Sequence, residues 1–217
     1  MKTFLSIGSG PGMGLATAER FAREGFRVIL SARSTTTIQS LADPIKAKGY
    51  TVEIRTVDAS DPASVAALVS QVETESGGID VLHYNAASMR KATLAEQPAE
   101  TFNTDLAVNI GGAQAAAKAA APAMLARDSG SILLTGGGFA LQPSPDYLSL
   151  SIGKAGIRAL AHGLFETFKA KGVHVATVTV AAFVDPGSKD AEAVADMFWQ
   201  LHSQPRDSWT AEATYSP

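Results

Sequence analysis

The stretch GSGPGMG, from Gly8 to Gly14, has four glycines in seven residues and separates two different patterns. Before it, the apolar run TFLSIG (Thr3–Gly8) is typical of a buried strand, and after it LATAERFAREG (Leu15–Gly25) has helical spacing and ends at a glycine. The first N–H groups of a helix have no partner within the helix, and glycine lets the backbone turn tightly and approach a ligand. The stretch therefore predicts a turn that holds the phosphates of a dinucleotide, the alternative being an ordinary glycine-rich turn between strand and helix.

Apolar runs and helical patterns alternate in the same way along the rest of the chain. The runs predicted as strands are Phe26–Ala32, Thr51–Val57, Ile79–Asn85, Ser131–Gly136, Val173–Ala181 and a last one around Trp209–Tyr215. The patterns predicted as helices are Ile38–Lys48, Asp61–Ser76, one long helix over Pro98–Arg127, Ser151–Lys171 and Ala191–Leu201. Strands that are apolar throughout and separated by helices require a parallel sheet covered on both faces. The sequence therefore predicts one α/β domain over residues 1–217, a Rossmann-like doubly wound parallel sheet of about seven strands with helices on both faces.

Composition and charge exclude several classes of protein. The net charge of −3 predicts no general affinity for nucleic acid or for an anionic membrane, and the absence of cysteine excludes disulfides, thiol catalysis and Cys-ligated zinc. The apolar run Phe4–Ile7 is too short for the core of a signal peptide, so we expect a cytoplasmic protein. His83 falls in a strand and is expected to be half-buried rather than a base. The other histidines (His162, His174 and His202) are expected on surfaces, without the spacing of a metal site.

The sequence resembles the short-chain dehydrogenase/reductase family from Thr3 to about Tyr215. The family's G-x-x-x-G-x-G turn is matched by Gly8, Gly12 and Gly14, and its N-N-A-G sequence after the fourth strand corresponds in part to YNAA. The resemblance implies an oxidoreductase whose cofactor is a nicotinamide dinucleotide. The positions that it assigns to cofactor binding are Gly8, Gly10, Gly12, Met13, Gly14, Asp58, Ala59, Asn85, Ala86, Lys154 and, through its backbone, Val184.

The end of the second predicted strand bears on which dinucleotide is bound. In dinucleotide folds an acid at this place binds the ribose 2′-hydroxyl, whereas an arginine accommodates a 2′-phosphate. The chain reads LSARST there, with Arg33 and no acid, and a guanidinium group matches the geometry of a phosphate. NADP(H) is therefore favoured over NAD(H), the alternative being that Arg33 is a solvated surface residue.

The resemblance breaks at the residues that transfer the proton in the family. The family has a tyrosine four residues before its lysine and a serine at the end of the fifth strand. In this chain Lys154 is preceded by Leu150, and the place of the serine is taken by Gly137. The family's helical asparagine corresponds to Asn109, so Asn109 and Lys154 remain as candidate catalytic residues. Tyr147 is a further candidate for the proton donor, the alternative being that it packs at the surface of a loop.

Three functions are open on these residues. The first is an NADP(H)-binding oxidoreductase of this family with a degenerate active site, acting on a small molecule. The second is a non-catalytic nucleotide-binding protein, either a redox sensor or a partner subunit for an active relative. The third is a pocket reused for non-redox chemistry such as that of a lyase, isomerase or cyclase.

The two longest predicted helices, Pro98–Arg127 and Ser151–Lys171, are rich in small residues on several faces. These residues are Gly111, Gly112, Ala115–Ala117, Gly156, Ala159 and Gly163. Members of the family usually pair their subunits through these helices, and a monomer would leave a second apolar face of each helix in water. We therefore expect a homodimer or a homotetramer.

Overall fold

Seven strands lie side by side in one sheet, in the order β3-β2-β1-β4-β5-β6-β7. In the computed structural model, which describes residues 1–217, the strands are β1 (Thr3–Ile7), β2 (Arg27–Ala32), β3 (Val52–Thr56), β4 (Val81–Tyr84), β5 (Gly130–Thr135), β6 (Val173–Val180) and β7 (Glu212–Tyr215). Every neighbouring pair is parallel. All residues of β1, β4 and β6 are buried, as strands covered on both faces must be. The predicted parallel sheet is confirmed.

Helices cover both faces of this sheet. They are α1 (Met13–Arg23), α2 (Thr35–Ala47), α3 (Pro62–Ser76), α4 (Ala99–Leu106), α5 (Gly112–Ala126), α6 (Leu148–Lys169) and α7 (Lys189–Ser203). One cluster of buried apolar side chains joins a face of the sheet to α3, α5 and α6, and a second cluster joins the other face to α1, α2 and α7. The doubly wound single-domain fold is therefore confirmed.

Local sequence determines where α3 begins and ends. The Asp61 carboxylate accepts a hydrogen bond from the Ala63 N–H at 2.9 Å, and Pro62 occupies the first helical position, where its missing N–H has no consequence. Gly77 ends the helix at a φ of +70°, in the left-handed region that glycine adopts without strain.

The predicted helix over Pro98–Arg127 is confirmed, with one π-helical turn inside an otherwise unbroken helical stretch. The segment consists of α4, a π-helical turn at Ala107–Gly111, and α5. A π turn holds one more residue than an α turn, and here it coincides with buried Asn109, whose amide bonds the backbone of Ser88. The hydrophobic spacing alone does not reveal this turn, and the contact of Asn109 with the loop after β4 has no signal in a local pattern.

Most of the small residues on α5 and α6 serve packing within the chain, contrary to the expectation that they form a free face. A Cβ at Gly112 would overlap the Tyr84 hydroxyl, and one at Gly156 would lie 2.9 Å from the side chain of Ile110. Ala115–Ala117 are buried in the core. The helices need small residues here because they approach the sheet and the π turn closely.

The glycine turn lies where the order of the sheet reverses. The chain moves outward from β1 through β2 to β3, and then returns to place β4 on the other side of β1. The connections after β1 and β4 therefore leave in opposite directions and open a crevice at the carboxyl ends of the strands, where open α/β sheets bind ligands.

None of the helices has both the length and the apolar character needed to cross a membrane.

Candidate active site

A cleft of about 1090 Å³ opens at this edge of the sheet. All twelve residues predicted to bind the cofactor line it: Gly8, Gly10, Gly12, Met13, Gly14, Arg33, Asp58, Ala59, Asn85, Ala86, Lys154 and Val184. They come from the ends of five different strands and from the starts of two helices, and the fold brings them together. Two of the predicted catalytic residues, Asn109 and Tyr147, do not line the cleft.

Two of the glycines are required by contacts within the protein. Gly8 has a φ of +86°, and a Cβ there would overlap the backbone of Ala86. A Cβ at Gly14 would lie 2.9 Å from the side-chain nitrogen of Asn85. Gly10 has no atom within 4 Å of the corresponding position, so the protein itself does not demand a glycine there. The turn is therefore pressed against the end of β4 and faces open space at its tip.

The first turn of α1 offers unpaired hydrogen-bond donors to the cleft. The N–H groups of Met13 and Gly14 have no acceptor in the protein, whereas that of Leu15 donates to the Gly10 carbonyl at 3.0 Å. Unpaired N–H groups at the positive end of a helix are suited to a phosphate. The donors and the open tip of the turn fit the pyrophosphate of a dinucleotide.

Beyond the glycine turn, the cleft is lined by one cationic side chain, Arg33, and one anionic side chain, Asp58. Arg33 is exposed and its guanidinium group makes no hydrogen bond or ion pair within the protein. The Asp58 carboxylate accepts from the Ser60 hydroxyl at 2.7 Å and from the Ser60 N–H at 2.9 Å, and these bonds hold its pKa below the usual value. Asp58 is thus kept ionised, and Arg33 is free to meet a further anion.

A buried chain of hydrogen bonds supports the Gly8 carbonyl of the glycine turn. The donor and the acceptor of each bond in this chain can be assigned. Asn85 Nδ2 donates to the Gly8 carbonyl at 2.9 Å, so its Oδ1 accepts from the Thr135 hydroxyl at 3.0 Å. Because that hydroxyl has only one proton, it must accept from His83 Nε2–H at 3.1 Å. His83 Nδ1 then accepts from the Ser6 hydroxyl at 3.3 Å. Sequence analysis missed Thr135, whose only signal is a hydroxyl at the end of an apolar strand.

The histidine in this chain is neutral. His83 is fully buried rather than half-buried as predicted, and burial, with a smaller effect of the Lys154 charge, lowers its pKa to about 3. His174 is also fully buried and His202 half-buried, contrary to the expected surface positions, because His174 stacks on Trp209 and His202 packs against Phe21. Nowhere in the chain do three or more histidine, aspartate or glutamate side chains come together as a metal site.

Lys154 lies in the middle of the cleft, beside the two positions where the family resemblance predicts a tyrosine and a serine. Its Nζ donates to the Thr135 carbonyl at 2.7 Å, and burial lowers its pKa to about 8. Leu150 is 4% exposed and presents only carbon to the cleft. A Cβ at Gly137 would lie 3.2 Å from Lys154 Cγ, so the lysine stem occupies much of the space beside it. Neither position carries a group that exchanges protons.

Asn109 lies behind the wall of the cleft and holds the loop that follows β4. Its Oδ1 accepts from the Ser88 N–H at 2.6 Å, and its Nδ2 donates to the Ser88 carbonyl at 3.1 Å. Both the oxygen and the nitrogen of the amide therefore bond to one residue of the loop.

Asp105, which sequence analysis missed, organises the same loop. Its carboxylate is 2% exposed and accepts from the Ser88 hydroxyl at 2.6 Å, Arg90 Nε at 2.8 Å and the Ser149 hydroxyl at 3.0 Å. Burial raises its pKa, but the hydrogen bonds from Arg90, Ser88 and Ser149 outweigh this and hold it below the usual value. An acid on the inner face of an amphipathic helix was the available signal.

Tyr147 precedes α6 and contacts aromatic rings. Its ring stacks on Phe139, with the ring centroids 5.5 Å apart, and its hydroxyl has no hydrogen-bond partner in the protein. It stands at the outer rim, beyond the residues that line the cleft.

Comparisons with known proteins agree with this architecture. A family model described as short chain dehydrogenase matches residues 2–193. The chain belongs to the short chain dehydrogenase family. An uncharacterized oxidoreductase of Thermotoga maritima is 28% identical over 178 residues, which are 82% of this chain and 70% of that protein.

Solved structures of short-chain dehydrogenases superpose over the whole chain. A short-chain dehydrogenase from Rhodopseudomonas palustris has a TM-score of 0.90 and 26% identity, covering 100% of this chain and 98% of the other. A metagenomic short-chain oxidoreductase, solved in complex with NADP, has a TM-score of 0.91 and 25% identity, covering 100% and 97%. The short chain dehydrogenase family binds nicotinamide dinucleotides, and the cleft described above is the place where this fold offers such a site.

Proposed function

We propose that this chain binds NADP(H) in the cleft and is an oxidoreductase of the short chain dehydrogenase family with a degenerate active site. One observation carries this proposal: all twelve predicted cofactor-binding residues line one cleft whose wall at Leu150 and Gly137 lacks any proton donor. One end of the cleft thus carries the groups that cofactor binding needs, whereas the other end lacks a group for proton transfer.

The residues that would hold the cofactor are distributed along the cleft. The N–H groups of Met13 and Gly14 would bind the pyrophosphate, and the free guanidinium group of Arg33 would bind a 2′-phosphate. Asp58 would lie at the adenine side, and the backbone at Val184 would meet the carboxamide. A similar protein solved in complex with NADP supports the choice of cofactor.

A bound nicotinamide dinucleotide supplies hydride transfer. In the chain itself, Lys154 would bind the ribose, and Asn109 would keep the loop after β4 in place. Reduction of a carbonyl leaves an alkoxide that needs a proton, and a positioned acid supplies about 10²–10⁴-fold in rate, an oxyanion donor about 10²–10³-fold. Because Leu150 carries only carbon and Gly137 has no side chain, we expect neither an acid nor an oxyanion donor to contribute to the rate.

The same observation favours a second candidate function, a non-catalytic nucleotide-binding protein. A redox sensor or a partner subunit needs the binding half of the cleft and has no use for the proton donor. In either case a homodimer or homotetramer would form through α6, where Ile152, Ala155 and Ala159 remain exposed on one side of the helix.

Calorimetric titration with NADPH and NADH tests the cofactor assignment. Loss of a bidentate charge-assisted contact costs about 1.5–3 kcal/mol, so Arg33→Ala should weaken NADPH binding about tenfold or more and leave NADH binding nearly unchanged. Arg23→Ala, at the far end of α1, is the matched control and should change neither affinity. Equal weakening of both cofactors by Arg33→Ala would contradict the assignment.

A further inference from the structure

Exposed apolar side chains are concentrated at one end of the cleft. The large apolar side chains that remain exposed in the whole chain are Met1, Met89, Leu94, Leu141, Ile152 and Phe183. Half of them, Met89, Leu141 and Phe183, line the cleft at the end away from Arg33. Phe183 is the most exposed of the three, at 62%. A concentration of this kind in a concave site indicates a ligand surface.

Aromatic rings from three separate segments meet at this end. Phe139 follows β5, Tyr147 precedes α6, and Phe183 follows β6. The ring centroids of Phe139 and Phe183 are 6.1 Å apart at an interplanar angle of 71°, and those of Tyr147 and Phe183 are 5.8 Å apart. Rings at these distances and angles leave the exposed face of Phe183 available to a further ring.

Backbone contacts hold the three segments together without any ligand. A Cβ at Gly138 would lie 3.0 Å from the Ala181 Cα, so the turn that carries Phe139 touches the segment that carries Phe183. The Ala92 N–H donates to the Asp146 carbonyl at 2.8 Å and ties the loop of Met89 to the start of α6. The backbone segments that carry the rings are therefore held by contacts within the protein.

Charges at this end are already paired. Arg90 is bound to Asp105, and Lys154 donates to a backbone carbonyl, while the unpaired Arg33 lies at the opposite end. No acidic side chain without a partner lines the cleft near Phe183, and the exposed Asp146 and Asp185, each within two residues of one of these rings, lie outside the lining.

We propose that this end of the cleft binds the planar aromatic ring of a small organic ligand, with Phe183 as the main contact. This ligand class rests on the proposed function, because it assigns the ring to a small molecule that shares the NADP(H) cleft. Saturated rings of the same size would fit less well, since they lack the flat face and polarised edge that aromatic side chains recognise.

Titration of the protein saturated with NADP⁺ tests this inference, using 2-acetylnaphthalene and its saturated counterpart 2-acetyldecalin. Wild type should bind the aromatic ketone at least fivefold more tightly than the saturated one. Phe183→Ala should lose at least fivefold of the affinity for 2-acetylnaphthalene, and Phe183→Leu should lose the preference between the two ketones. Leu94→Ala removes a leucine that is exposed even more than Phe183 but lies outside the cleft, and it should change neither affinity.

The outcomes separate this inference from the proposed function. Equal binding of the two ketones by wild type, or equal affinities in Phe183→Ala and Leu94→Ala, would overturn the aromatic site. Phe183→Ala should bind NADP⁺ within twofold of wild type. If wild type does not bind NADP⁺, the proposed function is wrong, and the ketone titrations without cofactor still decide whether the aromatic site exists.

Discussion

The two ends of the cleft differ in the chemistry of their side chains. The end formed by the glycine turn and Arg33 has unpaired N–H donors, a free guanidinium group and an ionised carboxylate, supported by the buried chain through Thr135. The end beyond Lys154 is walled by Leu150 and Phe183, with no side chain at Gly137.

This difference separates binding from chemistry within one fold. A cofactor is held by many small contacts, so the binding end depends on backbone shape and on the packing beneath it. Proton transfer depends on one or two positioned groups, and these can be replaced without disturbing the sheet. On the proposed function, this chain keeps the fold and the cofactor of its family while its reactivity differs.

Rebuilding the missing groups should give the largest effect. The variant Gly137→Ser/Leu150→Tyr should oxidise NADPH with an activated ketone about 10²–10⁴-fold faster than wild type, because it regains a positioned acid. Leu150→Tyr is made alone as well, since a serine at position 137 obliges the stem of Lys154 to move slightly. Leu150→Phe adds the ring without the hydroxyl. An equal gain in rate in this variant would show that the gain does not come from proton transfer.

A pair of glycine substitutions tests the structural basis of the binding end. Gly8→Ala should lower the free energy of unfolding by about 2 kcal/mol or more, because it places a Cβ against Ala86 at a φ of +86°. Gly10→Ala should change it by less than about 0.5 kcal/mol, since the position is open. Urea denaturation of both variants measures the difference, and similar values would contradict the packing of the turn.

Removing one hydroxyl tests the buried chain below the turn. Thr135→Val leaves His83 Nε2–H and Asn85 Oδ1 without partners and should cost about 1–3 kcal/mol in the free energy of unfolding. Thr56→Val, at an exposed position, is the control and should be nearly neutral. NADPH affinity should fall only in Thr135→Val, because Asn85 supports the Gly8 carbonyl. Equal stability of the two variants would show that the chain of hydrogen bonds is not formed.

The neutral histidines should make stability depend on pH. Native His83 and His202 have pKa values lowered to about 3 and about 4, whereas the unfolded value is 6.5. Below pH 6.5 the unfolded chain binds more protons, so the free energy of unfolding should fall by up to about 1.4 kcal/mol per pH unit for each histidine. Denaturation between pH 5 and 6.5 should show a smaller slope in His83→Gln than in wild type, and an unchanged slope would mean that His83 is protonated in the native state.

The strands and the binding end of the cleft could be predicted from the sequence because their signals are local. Each buried strand corresponds to a separate apolar run in the sequence. The glycine turn is recognisable because it lies between an apolar run and a helical pattern. All twelve predicted positions line the cleft because the carboxyl ends of parallel strands meet at one edge.

The supporting contacts could not be predicted because they join distant segments. The π turn at Ala107–Gly111 coincides with the bonds of Asn109 to Ser88, and the role of Asp105 follows from donors on the loop after β4 and on α6. Small residues such as Gly112 looked free in the sequence but are used against Tyr84. The sequence pattern shows which face of a helix is apolar, but not which neighbour touches it.

The fate of NADPH on the wild-type protein tests the separation of binding from chemistry most directly. The protein is saturated with NADPH, with occupancy verified by calorimetry, and is then mixed with trifluoroacetophenone while the nicotinamide absorbance is followed. We predict saturable binding and an absorbance that persists for minutes, whereas Gly137→Ser/Leu150→Tyr loses it at least about 10²-fold faster. Oxidation by wild type as fast as by the rebuilt variant would contradict this separation and would make Tyr147 the first residue to mutate.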